Sequence, residues 1–324
     1  MNSGLLAGKR NLAGVGYILA GVAFLSTMDS VAKVLVGADY SVMQLLAVRG
    51  WIIVVVMTPV LLKLGGLSVL KTKQPFKHLL RITVGFAAPY FFFSSLKGMG
   101  LADATVIFFG GGTFLMTALS VPLFKERVGP HRWGAVAVGF VGVVIAARPT
   151  GGVFQLEALY ALASGAAYAL MVLSTRWLGA AEGTFRPVFY YNLGVAVIAS
   201  MALPLSYKSM PMIDLATIVT MAFLAIGGHF GITRAFQLAP VSLLAPFEYT
   251  ALIWAAVLGY LIWSDIPAAN VLLGAGIIIS CGLYLIHRET LAVKARKMEI
   301  TPIAIADPMV VATPVVNDEG AEKE

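Results

Sequence analysis

Four ionisable residues lie inside apolar stretches of this chain: Asp29, Lys33, Arg49 and Glu248. A charge far from water is costly, so each must face a partner, a cavity or a bound solute. Asp29 and Lys33 are four residues apart and share one helix face. They either form an internal ion pair or serve as an external gate or solute contact. Arg49 carries a planar fork that grips carboxylate or phosphate at two points. It either pairs with Asp29 across two helices or holds such a group on a solute. Glu248 has no basic neighbour on its own helix. It needs Arg234, His229 or a solute as partner, or it must carry a proton.

His229 is flanked by Gly227, Gly228 and Gly231. Small neighbours let another helix or a ligand approach closely; a backbone carbonyl that satisfies the imidazole is the plainer reading. Pro246 stands beside Phe247, Glu248 and Tyr249. A proline within a span frees a carbonyl and kinks the helix, and broken helices often line the binding site of a carrier. The candidate substrate-binding residues are therefore Arg49, Glu248, Tyr249, His229, Asp29, Lys33 and Arg234. The aromatic run Tyr90–Phe93 and the pair Phe108–Phe109 either pack or stack on a planar solute. Glu126 and Asp265 fall at span edges, where an acid caps a helix.

No nucleophile constellation, metal-ligand cluster or nucleotide-binding motif stands out, so neither catalysis nor a cofactor or metal is expected. The run Gly110–Gly112 lies within a span and lacks the Lys-Ser/Thr that follows a phosphate-binding loop. The single cysteine, Cys281, excludes an intramolecular disulfide and reads as a small buried hydrophobe.

The elements that must position these residues follow from composition. The chain is 59% hydrophobic and 12% charged, where a soluble domain carries about 25% charged residues. A bilayer core about 30 Å thick needs roughly 20 apolar residues per helix. The apolar runs, such as Trp133 to Ala147 and Ala268 to Ile286, are too continuous for the alternating strands of a β-barrel. The predicted fold is an all-α, polytopic membrane protein with ten transmembrane helices. They cover 12–36, 42–62, 79–96, 104–124, 133–147, 158–175, 187–205, 215–236, 242–263 and 268–286. The first apolar stretch is too long for a cleavable signal sequence. At a rise of about 1.5 Å per residue, Asp29 and Arg49 sit about 10 Å below the outer surface, and Glu248 about 10 Å in from the inner one.

Orientation follows from Lys and Arg. With the N-terminus inside, outer segments hold only Lys97, Arg148 and Lys208, and the spans hold Lys33 and Arg49. All other basic residues fall on inner segments or inner span ends, including Lys63, Lys71, Lys73, Lys77 and Arg81 around the second connection. Both termini are therefore expected in the cytoplasm of an inner-membrane protein. Residues 289–324 lose apolar periodicity and end acidic, as a disordered cytoplasmic tail does. The net charge of +7 thus reads as topology and not as a nucleic-acid surface.

The chain also repeats itself. Glu126 and Asp265 each follow an apolar span and precede a Gly-rich one. With one gap, Gly134 pairs with Gly274, Gly142 with Gly282 and Arg148 with Arg288, and Lys33 pairs loosely with Arg176. Five spans per half reverse orientation, so the halves, 12–148 and 154–288, are expected to be inverted repeats, a common carrier architecture.

Residues 125–149, which begin Lys-Glu-Arg-Val-Gly-Pro, resemble the end of an EamA domain, and so do residues 235–286. Two tandem EamA domains make a permease of the drug/metabolite transporter superfamily, and the resemblance runs from Leu12 to Arg288. Asp265 stands where the family often has Glu, and Gly110–Gly112 where many relatives carry Pro. The resemblance implies a secondary transporter with alternating access and no ATP hydrolysis. The expected partners are the lipid bilayer and a small organic solute that is vitamin-, nucleoside- or amino-acid-like, with proton coupling open. The expected state is a monomer or homodimer. An amino-acid or drug exporter and a lipid-acting membrane enzyme are the alternatives.

Overall fold

The structure, a computed structural model, describes residues 2–124, 130–147, 156–178, 182–238, 244, 247–281, 283, 284 and 287. The described residues are helical and contain no strand. The helices are α1 (Asn2–Gly37), α2 (Val42–Lys63), α3 (Pro75–Ser95), α4 (Leu101–Phe124), α5 (Pro130–Ala147), α6 (Leu156–Leu178), α7 (Phe185–Ser200), α8 (Met212–Leu238), α9 (Thr250–Trp263) and α10 (Ala269–Cys281). Among the described residues, four stretches are long and apolar enough to cross a membrane: Arg10–Gly37, Val42–Lys63, Leu156–Ser174 and Met212–Leu238. Shorter apolar helices lie at Leu101–Gly112, Trp133–Ala146, Thr250–Trp263 and Ala269–Cys281. The expected acidic cap Glu126, the kink at Pro246 and the tail 289–324 fall outside the described residues.

Local chemistry sets the helix ends. Asp39 adopts a left-handed φ of 62° and closes α1; Ser41 then caps α2, with its side chain accepting from the Gln44 N–H. Ser264 adopts φ 56° after α9, and the Asp265 N–H returns to the Gly259 carbonyl at 3.2 Å. That turn holds Asp265 at the edge of the bundle. The seventh helix differs from the predicted 187–205. It starts at Phe185 because Pro187 falls in its first turn, where a missing N–H costs nothing. It ends at Ser200, and a turn leads into the one-turn helix Leu203–Ser206, which has Pro204 near its start.

The tightest seams pair α1 with α8, α3 with α6, α4 with α6 and α2 with α7. The first rests on glycine: a Cβ on Gly231 would lie 2.8 Å from the Gly21 Cα. Gly142 of α5 also lies at a close helix contact. It meets Gly274 of α10, where a Cβ would come within 2.5 Å of the Gly142 carbonyl oxygen. The main core gathers Leu35, Leu45, Leu46, Ile53, Ile218 and Met221, each fully buried, and it packs around a central cavity.

Candidate functional site

The cavity measures about 180 Å³ and draws its lining from α1–α4, α6–α9 and Glu248. Helix α2 brings Arg49 into its wall, 1% exposed. One guanidinium nitrogen, Nη1, donates to the Met28 Sδ at 3.2 Å, and the group lies 5.7 Å from the centre of the Phe93 ring. Its Nε and Nη2 are buried without any hydrogen-bond partner. A buried charged donor left unpaired costs upward of about 1–3 kcal/mol, so these two nitrogens are poised to donate to acceptor oxygens on a ligand.

Asp29 lines the same cavity, but both pairings considered for it from sequence need correction. It makes no ion pair with Arg49 within 4.0 Å. Lys33 turns away to Asp265, with Nζ–Oδ2 at 2.9 Å, and its ammonium sits 4.5 Å over the Trp263 ring. One helical turn separates Lys33 from Asp29, about 6 Å along the axis, and that carries it out of the cavity lining.

Glu248, just ahead of α9, also lines the cavity. Its partner is neither Arg234 nor His229: Oε1 accepts from the Tyr168 O–H at 2.9 Å. Arg234 is exposed and donates weakly to the Gln237 Oε1 at 3.4 Å. Its neighbour Thr233 takes the lining position, because adjacent helix residues point about 100° apart. His229 does line the cavity, edge-on to Tyr191 with centroids 5.1 Å apart and a buried, unpartnered Nδ1. Tyr249 lies outside the lining and packs on Phe109 at 6.1 Å. Of the aromatic run, Phe92 and Phe93 face the cavity, as do Phe108 and Phe109. Phe91 stacks on Tyr160 instead, with ring centroids 5.9 Å apart.

Arg81, Tyr168 and Tyr191 are among the polar lining residues that were not sequence candidates. Arg81 is 7% exposed, reaches the Met171 carbonyl only at 3.5 Å, and has a buried, unpartnered Nε. Sequence reading grouped it with the basic second connection. The signal that separates it is its position six residues inside α3, after Pro75. Tyr168 and Tyr191 carry hydroxyls within spans, which linear sequence does not distinguish from packing aromatics. The cavity thus holds two guanidiniums and two carboxylates in an aromatic enclosure, with no ion pair within 4.0 Å among these four. Such a field suits a ligand that itself carries separated charges and a flat ring.

Polar clusters on two sides lie outside the cavity lining. At one, the Glu182 carboxylate accepts from Thr72 (2.9 Å), Arg186 (2.7 Å) and His78 (3.2 Å). Burial alone would raise the Glu182 pKa, but the bonds from Arg186, Thr72 and His78 outweigh it and hold the value below the usual carboxylate range. At the other, the Tyr40 O–H donates to Asp214 Oδ2 at 2.6 Å, and this bond leads in pushing the tyrosine up to about 12. Beside it Gln44 exchanges two hydrogen bonds with the Lys208 backbone, at 2.6 and 2.9 Å.

Comparison with known proteins agrees with this architecture. Residues 12–148 match the EamA-like transporter family. An S-adenosylmethionine uptake transporter of Rickettsia felis is 28% identical over 292 residues, covering 90% of this chain and 98% of that protein. Its counterpart in Rickettsia bellii is 26% identical over 283 residues, 87% of this chain and 96% of that one. A riboflavin transporter of Rhizobium johnstonii is 28% identical over 239 residues, 70% of this chain and 76% of that one. A solved crystal structure superposes with a TM-score of 0.61 at 18% identity, covering 90% of this chain and 99% of that chain, a likeness of fold. The matched family model, the apolar helices and the activities named for the relatives point the same way: this multi-pass membrane protein resembles the EamA-type permeases of the drug/metabolite transporter superfamily.

Proposed function

We propose that this permease imports a zwitterionic adenosyl metabolite of the S-adenosylmethionine type by alternating access. The observation that carries the reading is the Arg49 guanidinium, buried in the cavity wall with two nitrogens, Nε and Nη2, unpartnered. An amino-acid carboxylate satisfies that fork. Asp29 and Glu248 offer countercharges for a cationic part, and the phenylalanine walls suit a purine. The uptake activity named for the Rickettsia relatives supports both the substrate class and the inward direction. Riboflavin is the second reading, supported by the Rhizobium relative. Its uncharged ring system fits the aromatic walls but gives the guanidiniums and carboxylates no countercharge.

The reading includes ten spans in two inverted halves, 12–148 and 154–288, in an inner membrane with both termini cytoplasmic. Packing supports the repeat. Exchanging the halves turns the α1–α8 seam into α6–α3 and maps the α2–α7 and α5–α10 seams onto themselves. The protein works as a carrier and not as a lipid-acting enzyme.

Uptake of labelled S-adenosylmethionine into proteoliposomes is the test. Wild type accumulates label, Arg49→Ala falls at least about tenfold, and Arg49→Lys recovers part of the loss, because an ammonium keeps the charge but not the fork. No uptake by wild type, alongside uptake of riboflavin, would replace the substrate class. Collapse of an imposed pH gradient abolishes accumulation if protons drive it; accumulation that persists assigns the driving force elsewhere.

A further inference from the structure

The corner of the cavity around Glu248 is built differently from the Arg49 wall. Glu248 Oε1 is held by the Tyr168 hydroxyl, and no cation lies within 4.0 Å of this carboxylate among the described residues. Tyr168 in turn belongs to a group of rings that meet at Phe108. Phe108 lies 5.2 Å from Tyr168 at an interplanar angle of 51°, 4.9 Å from Phe109 at 84°, and 5.4 Å from Phe92 at 67°. These steep mutual angles make walls of a box and not a slot for one flat ring. All four rings and Glu248 line the cavity. Aromatic faces attract a cation through the ring quadrupole, and boxes of rings recognise alkylated cations that cannot donate hydrogen bonds. A hydrated ammonium would look for several acceptors; this corner offers one carboxylate and π-faces.

We propose that Glu248, Tyr168, Phe108, Phe109 and Phe92 form an onium site, which takes a sulfonium or quaternary ammonium group on the transported molecule. The Tyr168 hydroxyl fixes the orientation of the carboxylate, and the rings supply the contact surface. The site rests on the carrier reading above, and it adds that the fixed positive charge selects the cargo. A thioether of otherwise identical structure has no charge for the box to hold.

Binding to the purified protein in nanodiscs tests this with three probes: S-adenosylmethionine, its demethylated thioether S-adenosylhomocysteine, and tetramethylammonium. Wild type is expected to bind the sulfonium compound at least about tenfold more tightly than the thioether. Glu248→Gln should erase most of that preference by lowering sulfonium affinity more than thioether affinity. Tyr168→Phe keeps the ring and most of the preference, whereas Tyr168→Leu loses it; this contrast separates the box from a merely structural role. Equal wild-type affinities for sulfonium and thioether overturn the onium site while leaving the adenosyl reading intact. Binding of tetramethylammonium that depends on Glu248, with neither adenosyl compound bound, keeps the onium site and overturns the adenosyl reading. Unchanged preference in a monodisperse Glu248→Gln protein overturns the assignment of Glu248.

Discussion

Arg81 is the residue whose role departs most from its linear neighbourhood. Four lysines lie close by in the second connection, yet its guanidinium lines the cavity. Replacing it with Gln removes a buried charge without deleting bulk. Uptake by Arg81→Gln should fall at least about tenfold, whereas Lys77→Gln, which loses a bond to the Trp177 carbonyl and a contact over that residue's ring at an exposed site, should transport at near wild-type rate. Glu182 offers a second residue-level test. Its pKa lies below the ordinary 4.5, so its contribution to stability is in full force above that ordinary value. That contribution disappears as pH falls through the depressed one. Thermal stability of wild type should therefore drop more steeply below about pH 4.5 than that of Glu182→Gln, which starts lower and carries no such titration. Equal slopes would remove the carboxylate from the account. Asp29, Arg49, His229 and Glu248 were legible as cavity residues because intramembrane ionisable groups are rare. Tyr168 and Tyr191 were not, because a tyrosine in a span looks the same whether its hydroxyl faces a cavity or a headgroup.

At the scale of elements, helix contacts depend on where side chains are missing. The α1–α8 seam brings the Gly21 and Gly231 backbones together, so Gly231→Ala places a methyl 2.8 Å from a backbone carbon. Overpacking of this kind costs about 1–3 kcal/mol, and the melting temperature should fall by several degrees. Gly276 of α10 has nothing within 4 Å of its virtual Cβ, so Gly276→Ala should melt at or above wild type. If the two variants melt alike, close packing is not what holds α1 to α8. The helix boundaries show which parts of the sequence carried local information. α2 and α3 start where Ser41 and Pro75 dictate. The end of α7 was read too late because apolar character continues through Leu205, and only the turn before Pro204 breaks the helix. Lys33 and Arg234 were placed in the site by proximity along the chain, but helix geometry turns each of them away from it.

For the whole molecule, the charge bias and the repeat lead to one topology test. In a Cys281→Ser background, which leaves no native thiol, Lys97→Cys should react with a membrane-impermeant maleimide added outside intact cells. Lys71→Cys should react only after permeabilisation. The reverse pattern would invert the orientation. The composition made the membrane fold readable at once. The pairing of α1 with α8 and α3 with α6 was not readable, since it depends on which faces of uniformly apolar helices meet.

Two ion-paired contacts beyond the cavity lining also differ in their access to water. Glu182 keeps its side chain only 5% exposed among its donors, whereas the Asp265 partner of Lys33 is 47% exposed. Mobile ions reach the second contact and not the first; at about 0.15 M salt, screening acts over roughly 8 Å. Ionic strength is therefore a handle on one contact alone. Salt should loosen the Lys33 contact without touching the Glu182 one, so a turnover rate that rises with salt would identify the Lys33 contact as the slow door of the cycle.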